Sequence, residues 1–250
     1  MLNKDDISAG IAYITINPTG KFVKSAQLGM MQNGLHPRYM IHVSPKGRIR
    51  REAKNYRLGI IRKFLWPKFR QHFGNTKSFS DQIPTINIGD TIKVSKLNSK
   101  ETADVLKKKK IKYLVNCGAG IFRDIIIDIP GMKIINAHAG RLPGYRNMNV
   151  VEWAIYNNDP VVGTIHLIDK GIDTGDVLME REIDVTNHED IVAIRESAFD
   201  KVIKMVGEVI IGLEEGWVKP VSQDRGGRRW YRMHPYFLNE LRCRGGQEIE

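Results

Sequence analysis

Ile11-Ala12-Tyr13-Ile14-Thr15-Ile16 is a short apolar run of strand length. Lys21 to Gln32 has the length of a helix, and Arg38-Tyr39-Met40-Ile41-His42-Val43 returns to strand character. Strand, helix, strand is a βαβ unit, and parallel strands joined by a crossover helix open the doubly wound α/β class. The alternation resumes downstream. Ser99 to Lys110 predicts a helix with Ser99 as its N-cap, and the Lys107 to Lys110 run complements the dipole at its C-terminal end. Tyr113 to Cys117, Lys133 to Asn136 and Thr164 to Ile168 predict strands. Glu189 to Glu214, with Ile191, Ile194, Ala198, Val202, Met205 and Val209 on one face, predicts a single long helix. The turn after the first strand, Asn17-Pro18-Thr19-Gly20, carries neither a Gly-x-Gly-x-x-Gly fingerprint nor a Walker Lys-Ser/Thr pair, so it supports no nucleotide cofactor of the usual kinds.

With 250 residues, 42% of them hydrophobic, the chain can bury one large core or a core plus a small appendage. Asp5 and Asp6 stand where a secretion signal needs positive charge, and no run of about 18 apolar residues occurs, so neither export nor a membrane span is expected. Cys117 and Cys243 do not make a disulfide framework, which points to a reducing, cytoplasmic setting. The net charge of +11 is concentrated in two places. Lys46 to Phe73 holds ten Lys or Arg against Glu52, a net +9, and Arg225 to Arg244 holds six Arg against Glu240, a net +5, leaving −3 for the rest. The first patch has Ile49, Ala53, Tyr56, Ile60 and Phe64 at helical spacing. It reads as a basic amphipathic helix, either packed on the sheet with a wet face or facing a polyanion or a membrane surface.

Chemistry concentrates in three segments: Asn136-Ala137-His138, then Arg141-Leu142-Pro143-Gly144-Tyr145-Arg146, then Gly171-Ile172-Asp173-Thr174-Gly175. Each polar residue has an ordinary structural reading: Asn136 as a strand cap, His138 as a satisfied core histidine, Asp173 as an Asx-turn residue before Gly175. Together they supply an amide donor, an imidazole and a carboxylate, the set that acyl transfer to an amine requires. The amide and a charged imidazole can donate to an oxygen that turns negative, and a nearby carboxylate favours the charged imidazole. Asp173 lies 35 residues past His138, room for another strand and helix to intervene before the chain returns. The strand ending in Asn136 and His138 delivers them at its carboxyl end, where open parallel sheets bind ligands. His166, on the strand Thr164 to Ile168, is expected near the same cleft in a supporting role.

The ordered set Asn-x-His, Leu-Pro-x-Tyr-Arg, Gly-Thr-Ile-His (163–166) and Gly-Ile-Asp-Thr-Gly resembles the folate-dependent formyltransferases, a family that includes glycinamide ribonucleotide, methionyl-tRNA and sugar-nucleotide N-formyltransferases. The likeness is strongest from Ile111 to Val185 and extends more diffusely to Gly216. It implies a Rossmann-like, mostly parallel sheet and transfer of a formyl group from 10-formyltetrahydrofolate to a primary amine, with Asn136, His138 and Asp173 as the catalytic residues and no metal. It also implies that the folate lies between the backbone around Ala119, Ile121 and Phe122 and the loop carrying Lys170, Gly171 and Ile172. Two departures stand out: many members have Ser-Leu-Leu-Pro and Tyr-Arg-Gly where this chain has Gly140-Arg141-Leu142-Pro143 and Tyr145-Arg146-Asn147.

The expected organisation is a catalytic domain over 1–218, with a basic helical elaboration at about 46–75, and a short Arg- and aromatic-rich C-terminal extension over 219–250. That extension is smaller than the C-terminal barrel of methionyl-tRNA formyltransferases, and the opening lacks the Gly-Ser-rich start of purine-pathway members. The favoured acceptor is therefore a small molecule, a nucleotide-linked amino sugar of O-antigen (lipopolysaccharide) or related glycan biosynthesis, with nucleic acid disfavoured. Methionyl-tRNA or glycinamide ribonucleotide formylation is the alternative within the family, and an inactive formyltransferase-like binding protein the alternative outside catalysis. The oligomeric state, homodimer included, stays open.

Overall fold

The computed structural model describes residues 2–44, 89–185, 191–224 and 226–244. The basic stretch at 46–75 lies outside them. The expected βαβ unit is present: β1 (Ile11–Thr15), α2 (Lys21–Gln32) and β2 (Tyr39–Val43), with β1 and β2 parallel and Ile14 opposite Ile41. A short helix, α1 (Lys4–Ala9), precedes it, capped by the Asn3 side chain accepting from the Asp5 N–H. After it come β3 (Asp90–Val94), α3 (Lys100–Lys108), β4 (Tyr113–Asn116), α4 (Asp124–Ile127) and β5 (Lys133–His138). Ser99 caps α3 through the Thr102 N–H, as its sequence predicts.

The chain continues through β6 (Tyr145–Asn147), α5 (Val150–Tyr156), β7 (Val162–Leu167), β8 (Val177–Glu182), α6 (Ile191–Lys204), α7 (Val206–Glu215), β9 (Arg228–Trp230) and α8 (Pro235–Arg244). Seven strands form the central sheet in the order β3-β2-β1-β4-β5-β7-β8. The first five are parallel, β7 runs antiparallel to β5, and β8 runs antiparallel to β7. A mostly parallel sheet of the doubly wound class is what the sequence predicts.

The strands explain their own composition. β1 is buried at every position because both faces are covered. Ile11 and Tyr13 enter a cluster with Val23, Ala26 and Met30 of α2 and with Val202 and Val209, while Ala12 and Ile14 enter a second with Leu106 of α3 and Ile126 of α4. The single helix predicted over Glu189 to Glu214 is in fact two. The chain tightens at Met205, whose N–H bonds back to the Val202 carbonyl, and α7 restarts from there. The break has a packing cause. Gly29 of α2 lies so close to the Lys204 backbone that a Cβ there would overlap it, and the change of direction lets α6 and α7 both lie against α2. The hydrophobic period runs through the break, so periodicity alone does not reveal it. Among the described residues no helix is long and apolar enough to cross a membrane.

Candidate active site

Asn136 and His138 are two residues apart on β5 and therefore project from the same face of the sheet, the face on which Ile134 joins the α3 and α4 side of the core. The spacing Asn-x-His is thus a strand spacing. Laterally, β4 pairs with β5 up to Val115 opposite Ile135, and β7 pairs with β5 so that His166 faces Asn136. One further step along the β4 register brings Asn116 beside Asn136. The result is a row across three strands. Asn116 Nδ2 donates to Asn136 Oδ1 at 2.9 Å, and Asn136 Nδ2 meets His166 Nε2 at 3.0 Å.

Asp173 arrives from the loop between β7 and β8. Its backbone is left-handed, at φ 53°, and the loop around it is tied down by Asp169 Oδ1, which accepts from the Gly171 N–H at 2.9 Å and the Thr174 hydroxyl at 2.6 Å. Gly175 is required by contact: a Cβ there would run into the Leu167 carbonyl. Held this way, the Asp173 carboxylate lies between the two imidazoles, with Oδ2 at 3.8 Å from His138 Nδ1 and Oδ1 at 3.7 Å from His166 Nε2. Both separations exceed hydrogen-bond length but are those of ion pairs. Oδ2 has its own donor, the Asn147 backbone N–H at 2.8 Å.

The two histidines differ in their partners. His166 is 1% exposed, and burial, reinforced by the neighbouring His138, pushes its pKa down to about 4 against the opposing pull of Asp173. It is neutral near pH 7. His138 is also buried but uses Nε2 on the Tyr145 carbonyl at 2.6 Å, which leaves Nδ1 facing Asp173.

Tyr145-Arg146-Asn147, a few residues past the strand that carries Asn136 and His138, is itself a short strand. β6 pairs in parallel with β9 of the C-terminal extension, Tyr145 opposite Arg228 and Asn147 opposite Trp230. The Tyr145 ring stacks on Trp230 with centroids 5.4 Å apart, its hydroxyl bonds Asp159, and Trp230 Nε1 donates to the Gly144 carbonyl at 2.9 Å. The ring is therefore a packing element, and it is the Tyr145 backbone that serves the site. Asn147 sits at φ 80°, which explains the departure from Gly at this position: Asn tolerates the left-handed region better than other side chains. Its amide also donates to the Trp230 carbonyl at 2.7 Å.

Of the residues expected to meet the folate, Ala119 and Phe122 are buried in the core, so only their backbone is available, whereas Ile121 is 59% exposed. Gly171 is exposed and Ile172 half-buried. Lys170 pairs with Asp124 at 3.3 Å and Asp128 at 3.4 Å, which ties its loop to α4, the helix that begins two residues after Phe122. Asn116 was not singled out by sequence reasoning, since a polar residue closing a strand has no signature of its own; only the register reveals it. Among the described residues no cluster of His, Cys, Asp or Glu could hold a metal ion.

The formyl transferase family profile matches residues 64–210. Methionyl-tRNA formyltransferase of Pelobacter propionicus is 34% identical over 100 residues, 40% of this chain and 31% of that protein. The chain spans less than half the length of the curated relatives it matches. In fold it is similar to a 4-N formyltransferase from Francisella tularensis (TM-score 0.57, 16% identity, covering 94% of this chain and 86% of that one). It is likewise similar to glycinamide ribonucleotide transformylase 1 from Symbiobacterium toebii (TM-score 0.54, 14% identity, covering 86% and 93%). With the profile matched over more than half its length, the chain belongs to the formyl transferase family.

Proposed function

We propose that the protein transfers a formyl group from 10-formyltetrahydrofolate to a primary amine, the amino group of a nucleotide-linked amino sugar, in a cytoplasmic setting. The observation that carries formyl transfer is the meeting of the Asn136 amide, two imidazoles and the Asp173 carboxylate at the carboxyl end of β5. The exposed Ile121 side chain, half-buried Ile172 and the backbone at 169–171 fit a ring that is apolar on its faces and polar at its edge, and these residues would hold the folate. When bound, it supplies a formyl group on a nitrogen able to leave.

The residues then divide the work. Asn136 and His138 Nδ1 donate to the oxygen that gains negative charge as the amine attacks, each donor being worth roughly 100- to 1000-fold in rate. Asp173, 3.8 Å from His138 Nδ1, accepts the proton shed by the attacking nitrogen, and the folate nitrogen gains one as its bond to the formyl carbon breaks. Anchoring by the Asn147 N–H keeps the Asp173 carboxylate in place while its charge changes.

The acceptor reading rests on the ribbon over the site. Arg228 and Arg229 are exposed on β9, one strand spacing, about 4.8 Å, beyond the β6 backbone that His138 bonds. Arg228 lies over the Trp230 ring at 4.1 Å and Arg229 near the Tyr231 ring at 5.5 Å, which leaves planar cations suited to a diphosphate beside an exposed aromatic suited to a base. A second reading, aminoacyl-tRNA as acceptor, is favoured by the identity to methionyl-tRNA formyltransferases.

Supplying 10-formyltetrahydrofolate with amino-sugar nucleotides, aminoacyl-tRNA or glycinamide ribonucleotide, and detecting the formylated product by mass spectrometry, separates these readings. Turnover of an amino-sugar nucleotide, with kcat lowered roughly 100- to 1000-fold in Asn136→Ala and Asp173→Asn, is expected. Turnover of aminoacyl-tRNA alone selects the second reading, and formylation of nothing in the panel overturns both.

A further inference from the structure

The four hydrogen bonds that run across β4, β5 and β7 form a chain with no freedom of direction. At one end, the Ala119 backbone N–H, which can only donate, reaches Asn116 Oδ1 at 2.9 Å. The turn through Gly118, at φ 82°, folds it back onto that side chain. Asn116 must therefore present its NH2 to Asn136 Oδ1, and Asn136 must present its own NH2 to His166 Nε2. At the other end, His166 Nδ1 lies 2.7 Å from the Leu167 carbonyl, which can only accept, so the ring carries its proton on Nδ1 and offers a lone pair at Nε2. Amide flips and histidine tautomers are ordinarily matters of assignment, but here both ends are main-chain groups whose polarity is covalent.

From this directed chain we infer that Asn116 is a positioning residue: it fixes which way round the Asn136 amide lies, so that one amide hydrogen is spent on His166 and the second is kept for the reacting oxygen. The inference rests on the formyl-transfer reading for its catalytic consequence, though not for the direction of the amide. Reversing Asn136 would turn its carbonyl oxygen toward the side that the reaction makes negative. It would also set that oxygen against the lone pair of His166. The charged and titratable groups facing His166 are His138 on β5 and Asp173 and Asp169 on the loop after β7, and its burial keeps it neutral among them. A neutral ring is what the chain requires, because a proton on Nε2 would leave the Asn136 NH2 facing another donor.

Long-range proton–nitrogen correlation spectra of the imidazoles in uniformly 15N-labelled protein at pH 7 test the direction, and steady-state kinetics test its consequence. In the unaltered protein His166 is expected as the neutral Nδ1–H tautomer. Asn116→Asp keeps the shape but, ionised, can no longer donate to Asn136. The amide should turn, His166 should gain a proton on Nε2, and kcat should fall on the order of 100-fold while both KM values stay within about threefold. Asn116→Ala, which removes the donor without reversing it, should show a smaller loss and an unchanged tautomer. A His166 proton on Nε2 in the unaltered protein overturns the inference, as does an Asn116→Asp protein with wild-type kcat and a shifted tautomer. Because the spectra need no substrate, failure of the unaltered protein to formylate anything sinks the functional reading and the catalytic consequence together, while a wrong tautomer sinks this inference alone.

Discussion

Asp173 is placed by its main chain and its loop rather than by direct hydrogen bonds to the imidazoles beside it. Two imidazoles approach within ion-pair distance but outside hydrogen-bond length, and the only described hydrogen bond to the carboxylate comes from a main-chain N–H. His166, by contrast, is held uncharged by burial and is committed to Asn136. That commitment has a consequence for stability. Unfolded, His166 titrates near its ordinary 6.5; folded, it stays neutral down to about 4. Between those values the unfolded chain binds the extra proton, so the stability due to a neutral His166 is complete above about pH 6.5 and is lost as pH falls toward 4, by on the order of 3 kcal/mol. Urea unfolding at pH 7, 6, 5 and 4 checks this. The stability gap between wild type and His166→Gln, which keeps an acceptor for Asn136, should narrow steadily over that range.

The elements place these groups by ordinary rules. Period-two alternation puts Asn136 and His138 on one face, lateral register brings Asn116 and His166 alongside, and a glycine-bounded loop returns Asp173. Helices α2, α6 and α7 hold the opposite face of the sheet, and their crossing depends on backbone touching backbone at Gly29. Gly29→Ala is therefore expected to cost about 2–3 kcal/mol, despite the better helix propensity of Ala, because the new methyl meets main chain that cannot rotate away. A drop in the urea midpoint without a change in its slope would confirm it. A neutral or stabilising effect would show that the crossing relaxes freely. The boundaries of α2 and the N-cap of α3 were legible because they depend on local chemistry. The division of α6 from α7 was not, since Met205 continues the apolar stripe and only the neighbour at Gly29 requires the break.

Across the whole molecule, the C-terminal residues reach the central sheet through a two-stranded ribbon, β6 with β9, so the extension borders the candidate site. Arg228→Ala combined with Arg229→Ala should raise KM for a diphosphate-bearing acceptor roughly tenfold at 0.05 M salt while leaving kcat nearly unchanged. The difference should shrink as salt rises, since exposed charges are screened within about a Debye length. Equal KM values at low salt would remove the tail from acceptor binding. The class of the sheet, the segments that carry Asn136, His138 and Asp173, and the formyltransferase likeness were all readable from residue order, because strand alternation, turn chemistry and short motifs are local properties of the chain. Which groups became neighbours was not. The tail's pairing with Tyr145-Arg146-Asn147, the burial of Ala119 and Phe122 and the placing of Asn116 beside Asn136 depend on contacts between residues 20 to about 86 positions apart. No local pattern encodes such a meeting; packing and register create it only once the sheet has closed around both faces of its core.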